Sequence, residues 1–213
     1  MKKLQPIHLE DRKEEGARKF SPTAARNRDP IGKILSPLIP NGACVLEIAS
    51  GTGEHALHMC RLRPDMSWQP TDPDEGSRAS QDDWAKEAGG NMAASIDVDV
   101  TAPAWDVAVP ECSVIYCANM IHIAPWAATK GLVTGAHKLL SEGQICVLYG
   151  PFKEGTDTAQ SNLDFDLYLK SRNSAWGVRN LEDVKHIFEL HGFNLTQRTV
   201  MPKNNLILVF KRA

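Results

Sequence analysis

Apolar positions along this 213-residue chain fall into short runs separated by amphipathic stretches, and the alternation predicts a sheet wound with helices. The runs 43–49, 66–71, 113–118 and 144–149 read as buried strands, with a shorter one near 92–97; the stretches 53–62, 75–88 and 125–140 carry apolar residues at helical spacing. Strands separated by helices of that length imply right-handed crossovers and parallel pairing, so five parallel strands are expected. After Gly150-Pro151 the pattern changes. A loop-like segment is followed by a helical one, LDFDLYLKSR, and then by an amphipathic helix, LEDVKHIFELHG, with Gly192 as its stop. Two β-rich runs, FNLTQRTV and NNLILVFKR, close the chain around Pro202 as a hairpin. The predicted class is therefore α/β: a Rossmann-like, mainly parallel sheet with helices on both faces and an antiparallel C-terminal hairpin.

Upstream, Ser21 is a candidate N-cap with Pro22 at the first helical position, opening a helix expected to be interrupted near Pro30. Residues 1–20 are charged and aperiodic and read as a flexible N-terminal arm; residues 21–213 read as one domain.

A formal charge of −2 gives no electrostatic footprint for nucleic acid or an anionic membrane, so neither is an expected partner. The opening MKKLQPIHLEDRKEEG has lysines but no apolar run behind them, and no segment approaches about eighteen apolar residues, so a cytoplasmic protein is expected. Five cysteines without a CxxC fit a reducing compartment.

The chemistry begins at VLEIASGTGEH, residues 45–55, where a strand runs into a turn with glycines at 51 and 53. Glycines let backbone N–H groups approach a nucleotide-like ligand. Gly51-x-Gly53-x-x-Ala56 satisfies the dinucleotide fingerprint, and Asp72 stands about 20 residues on, where a carboxylate can accept both hydrogen bonds of a ribose diol. NAD and S-adenosylmethionine share that diol. Glu47 separates them: a pyrophosphate disfavours a carboxylate before the turn, whereas the ammonium and sulfonium of S-adenosylmethionine favour one. Asp97, in SIDVD, would end the third strand and hold the adenine amino group. His55, His58 and Cys60 lack a fourth ligand at suitable spacing, so no metal is expected.

These residues and the terminal hairpin resemble the class I S-adenosylmethionine-dependent methyltransferases, whose seven-stranded sheet places a reversed last strand between its neighbours. The blocks FSPTAARNRDPI, VLEIASGTGEHALH, WQPTD, NMIHIAPW, LYGPF, SNLDFD, WGVRNLEDV and MPKNNLILVFKR together resemble a poorly characterised methyltransferase-like family found in bacteria and animals. The resemblance implies an S-adenosylmethionine site built from Glu47, Ala49, Gly51 and Gly53, with Asp72 on the ribose and Asp97 by the adenine. Ala49 departs from the superfamily, where a glycine is commoner.

Methyl transfer is an in-line displacement that needs an aligned nucleophile and, for some acceptors, a base. His122, in NMIHIAPW after the fourth strand, is the candidate base for a hydroxyl, thiol or amine, with Asn119 orienting cofactor or acceptor. Trp126, Tyr149, Asn162, Asp166, Trp176 and Arg179 are candidates to line a small-molecule pocket. Arg179 has two readings: it grips a substrate carboxylate, or it pairs with Asp164 or Asp166. Arg26 and Asn27 are candidates to close the cofactor pocket as a lid. The runs YCANMIHIAPW and WGV are candidates for an exposed homodimer surface. Rival functions are a nicotinamide-dependent oxidoreductase and a non-catalytic S-adenosylmethionine-binding module.

Overall fold

A computed structural model describes residues 12–213. The chain divides into two compact units, the first reaching Val98 and the second comprising Asp99–Ala213, within the span read from the sequence as one domain. Each is taken by itself.

Part of the expected N-terminal arm, residues 1–11, lies outside the described residues. The remainder is ordered rather than loose: β1 (Lys13–Glu15) pairs antiparallel with β2 (Arg18–Phe20), and Arg18 pins the hairpin by pairing with Asp83 at 2.8 Å and stacking 4.0 Å from the Trp84 ring. The charge that suggested solvent exposure is spent on a neighbouring helix instead. Next comes α1 (Pro22–Leu35), capped by the Ser21 hydroxyl, which accepts the Ala24 N–H. It runs through Pro30 without the expected interruption. The ring is part-exposed and lies four residues after exposed Arg26, so the lost helical bond falls on a wetted side.

The core of the first unit is β3 (Cys44–Ile48) paired parallel with β4 (Ser67–Pro70), connected through α2 (Glu54–Leu62) and followed by α3 (Glu75–Ala85). Val45, Leu46, Ile48 and Trp68 are all but completely buried, which explains why these strands read as apolar runs. The short strand expected near 92–97 does not form. That segment makes two isolated parallel bridges, Trp68 to Met92 and Thr71 to Ile96. Its alternation of small and polar residues supplies too little apolar surface to hold a full ladder.

In the second unit β5 (Val114–Ala118) pairs parallel with β6 (Ile145–Pro151) across α4 (Trp126–Leu139). Then follow α5 (Gln160–Arg172), α6 (Leu181–Leu190), β7 (Phe193–Met201) and β8 (Asn205–Arg212). β8 inserts antiparallel between β6 and β7, so the predicted hairpin carries the reversed last strand. Leu206 through Phe210 are buried throughout, whereas β7 alternates exposed and part-exposed positions between buried ends, as expected of a strand with one solvated face. Parallel strands alternating with helices and closed by this hairpin make the Rossmann-like α/β architecture; with residues 92–97 reduced to bridges, β3 to β8 supply six strands among the described residues where seven were implied.

Most of the apolar residues considered for a dimer surface are interior, while residues 123–126 are part-exposed. Tyr116, Cys117, Met120, Ile121, Trp176 and Val178 are all buried within the chain itself, because strand β5 and the loops after it form the core.

Candidate functional site

The β3 turn is built on left-handed backbone. Ala49, Gly51 and Gly53 all have positive φ, at 57°, 57° and 90°. For the glycines this conformation is free of strain; for Ala49 it is not, and a left-handed L residue costs on the order of 1–2 kcal/mol. The two glycines serve different ends. A Cβ on Gly53 would meet the Gln81 Cα at 3.0 Å, so its role is close packing against α3. A Cβ on Gly51 would project into space where the only atom within 4 Å among the described residues is the Arg12 guanidinium, at 3.9 Å. Gly51 therefore fronts a cradle.

Helix α3 holds this turn from behind. Gln81 Nε2 donates to the Gly51 carbonyl at 3.0 Å and Ser80 Oγ donates to the Thr52 carbonyl at 2.7 Å, both from buried side chains. Glu54 ties the turn to α1: its Oε2 accepts from the Ser21 N–H at 2.7 Å and from the Thr52 hydroxyl at 2.9 Å.

Two carboxylates meet at the cradle. Asp72 Oδ2 accepts the Gly51 N–H at 3.0 Å and Oδ1 accepts the Asp74 N–H at 2.9 Å, leaving each oxygen a further lone pair. Burial raises its pKa to about 6, offset in part by those two amides and, least of all, by Arg12. Glu47 is 1% exposed, and its Oε2 accepts from Trp68 Nε1 at 2.9 Å. Burial raises its pKa to about 7, and the Asp72 charge adds to the rise. Two desolvated carboxyls, the charge of one raising the other, favour a cation beside them. The cradle, the spare lone pairs of Asp72 and this deficit of positive charge all fit the nucleoside and the cationic end of S-adenosylmethionine.

Sequence reasoning singled out Glu47, Ala49, Gly51, Gly53 and Asp72, and the structure brings these together. Asp97 departs from expectation. Without a formed strand to fix its direction, its side chain is 66% exposed and pairs with Arg78 at 3.3 Å; Arg78 also donates to the Asp72 carbonyl at 2.9 Å. Arg26 is exposed on α1, its nearest bond a 3.5 Å contact to Thr23, so it closes nothing here, while Asn27 is buried on the same helix. Arg12, Glu54, Arg78, Ser80 and Gln81 escaped sequence reading. Only the helical periodicity of α3 hinted that Ser80 and Gln81 face inward.

In the second unit Asn119 adopts φ 62° and donates its N–H to the Tyr149 carbonyl at 2.8 Å, turning the chain after β5. His122 follows. It is 1% exposed, its ring set edge-on to Phe152 at 5.1 Å, and its Nδ1 accepts the Arg179 N–H at 3.3 Å. Burial, then the Arg179 charge, lowers its pKa to about 3. Set against the base expected from sequence, the imidazole is neutral, desolvated and fixed, a weaker proton acceptor than an exposed histidine, and its position suits a post that holds the loop.

Arg179 does not form the ion pair with Asp164 or Asp166 that was one of its two expected readings. Its guanidinium donates to the carbonyls of Ile121, Ala124 and Ala175 rather than to Asp164 or Asp166. Asp166 instead accepts from Lys170 at 2.7 Å, from Lys153 at 3.4 Å and from the Val178 N–H at 2.9 Å; burial opposes its ionisation, and the two lysines hold it below its ordinary pKa. Trp126, Asp166 and Arg179 line an open cleft of about 830 Å³. Tyr149, Asn162 and Trp176 do not. The Tyr149 hydroxyl accepts from Asn205, Asn162 donates to the carbonyls of Phe152 and Asn204, and Trp176 is buried: all three are framework, because the hairpin turn and α5 need anchors. Among the described residues no group of three or more His, Cys, Asp or Glu side chains is placed to hold a metal ion.

Residues 18–212 match a family described as a protein of unknown function (DUF938). Among solved structures the chain is similar to the pyocyanin biosynthetic protein PhzM, at 17% identity and TM-score 0.73, covering 90% of this chain and 59% of that one. It is similar also to CalO1, a methyltransferase in calicheamicin biosynthesis in its SAH-bound form, at 17% identity and TM-score 0.72, covering 90% and 54%. A third is an O-methyltransferase family 2 protein from Planctomyces limnophilus in complex with apigenin, at 14% identity and TM-score 0.73, covering 90% and 60%. At these identities the likeness is one of fold, and the chain spans little more than half the length of each of the three.

Proposed function

We propose, from the premise that the chain belongs to the DUF938 family, that it binds S-adenosylmethionine at the β3 turn and passes a methyl group to a small-molecule acceptor in the cytoplasm. The observation that carries this reading is the pair of desolvated carboxyls, Glu47 and Asp72, facing a left-handed glycine cradle. A shared fold raises the expectation of the chemistry without establishing it. Among the described residues no helix is long and apolar enough to cross a membrane.

The bound cofactor would supply an electrophilic methyl on a sulfonium. Everything else falls to this chain's residues. Asp72 would accept the ribose hydroxyls on the lone pairs its two amide partners leave free, and Glu47 would place negative charge toward the cationic end. Gly51 would let the backbone approach. The acceptor would be positioned in the second unit's cleft by Trp126, Asp166 and Arg179, with His122 holding the loop that carries Arg179. In this scheme catalysis is chiefly alignment, and acceptors that ionise or lose a proton easily are favoured.

The test is calorimetric titration with S-adenosylhomocysteine beside NADH, on wild type and Asp72→Ala. The expected result is binding of S-adenosylhomocysteine alone, weakened at least about 100-fold by the loss of two hydrogen bonds to a charged acceptor. Binding of NADH alone, or equal affinity in the variant, would overturn the assignment.

A further inference from the structure

The chain carries a net charge of −2, yet the open cleft of the second unit gathers four basic side chains, Lys130, Lys153, Lys170 and Arg179, against two acidic ones, Asp166 and Asp183. The imbalance is sharper than the count. Asp166 is shared by Lys153 and Lys170 and also accepts a backbone N–H, so one carboxylate is divided between two ammoniums. Lys130 makes no ion pair among the described residues. Arg179 has its guanidinium oriented by three carbonyls, which fix its direction but carry no full negative charge, and the carboxylate that acts on its charge is Asp166, already divided between two ammoniums. A half-buried cation with so small a share of a counter-ion favours the arrival of an anion.

Part of the remaining lining is apolar. The Trp126 ring lies 5.6 Å from the Arg179 guanidinium carbon, and Leu163 and Leu190 are 38% and 70% exposed at the same cleft. A free inorganic ion would leave these side chains against water; a ligand with an apolar body would cover them.

We infer that this cleft binds a small organic anion, with its carboxylate or phosphate head on Lys130, Lys153, Lys170 and Arg179 and its ring or chain against Trp126, Leu163 and Leu190. That the anion is the methyl acceptor rests on the reading proposed above; that the cleft binds it does not.

The probes are benzoate, phenyl phosphate and the neutral benzamide, titrated into the full chain and followed by saturation-transfer NMR and calorimetry. One of the two anions binds at least about fivefold tighter than benzamide, and their order tells a carboxylate site from a phosphate site. Lys130→Gln and Lys170→Gln each weaken it about three- to tenfold, and raising the salt does the same; Lys185→Gln, on α6 but outside the lining, leaves it unchanged. Lys130 is exposed and without an ion pair, so its variant tests the idea free of any folding defect. Equal affinity for benzamide, binding of none of the three, or indifference to both lysine variants overturns the inference. S-adenosylhomocysteine titrated in the same series separates the two claims. Its binding without anion binding removes the cleft, and anion binding without it removes methyl transfer.

Discussion

Replacing Glu47 by Gln isolates the electrostatic strain of the cradle. The carboxyl has an ordinary pKa of 4.5 and is raised to about 7 in the folded chain, chiefly by burial. A raised carboxyl pKa means that between these values the folded state holds a proton the unfolded state releases. Stability from this group is therefore fully present below about pH 4.5 and is lost as pH rises through about 7. Taking both titrations together, wild type loses about 2 kcal/mol from Glu47 between about pH 5.5 and about pH 8. Glutamine cannot ionise, and its carbonyl can still accept from Trp68 Nε1. Any fixed cost of the exchange is the same at both pH values and cancels in the comparison. Urea unfolding followed by tryptophan fluorescence should show E47Q gaining about 2 kcal/mol on wild type over that interval. Parallel pH profiles for the two proteins, or a gain toward acid, would refute the reasoning.

Two further outcomes follow from backbone geometry. Ala49→Gly relieves a left-handed alanine and should stabilise the chain by up to about 1 kcal/mol in thermal unfolding, the gain being reduced by glycine's freedom in the unfolded chain. Gly131→Ala on α4 would drive a Cβ to 1.8 Å from the Val100 carbonyl oxygen, a backbone atom with little room to yield, and should destabilise by at least about 2 kcal/mol in the same measurement.

Much of the cofactor-site candidate was legible because its parts are local. VLEIASGTGEH places Glu47, Gly51 and Gly53 on one strand and its turn, and Asp72 sits just beyond the next strand, so periodicity and spacing sufficed. The misplaced residues depended on elements too weak to call. Asp97 was assigned to a strand that forms only bridges, and Arg26 to a lid that the helix carries into solvent. His122 shows a different limit. The sequence names an imidazole but not its burial, and burial lowers its pKa and with it its strength as a base.

The sequence by itself determined the α/β class, the helix start at Ser21, the closing hairpin and the glycine turn, because hydrophobic period, capping and positive-φ preference act within a few residues. Tertiary structure alone decided that Arg12 lies beside Gly51, that Ser80 and Gln81 brace the turn, and that Lys130, Lys153, Lys170 and Arg179 share one cleft. Those pairings join residues far apart along the chain, and no local propensity encodes which distant charges will be desolvated together.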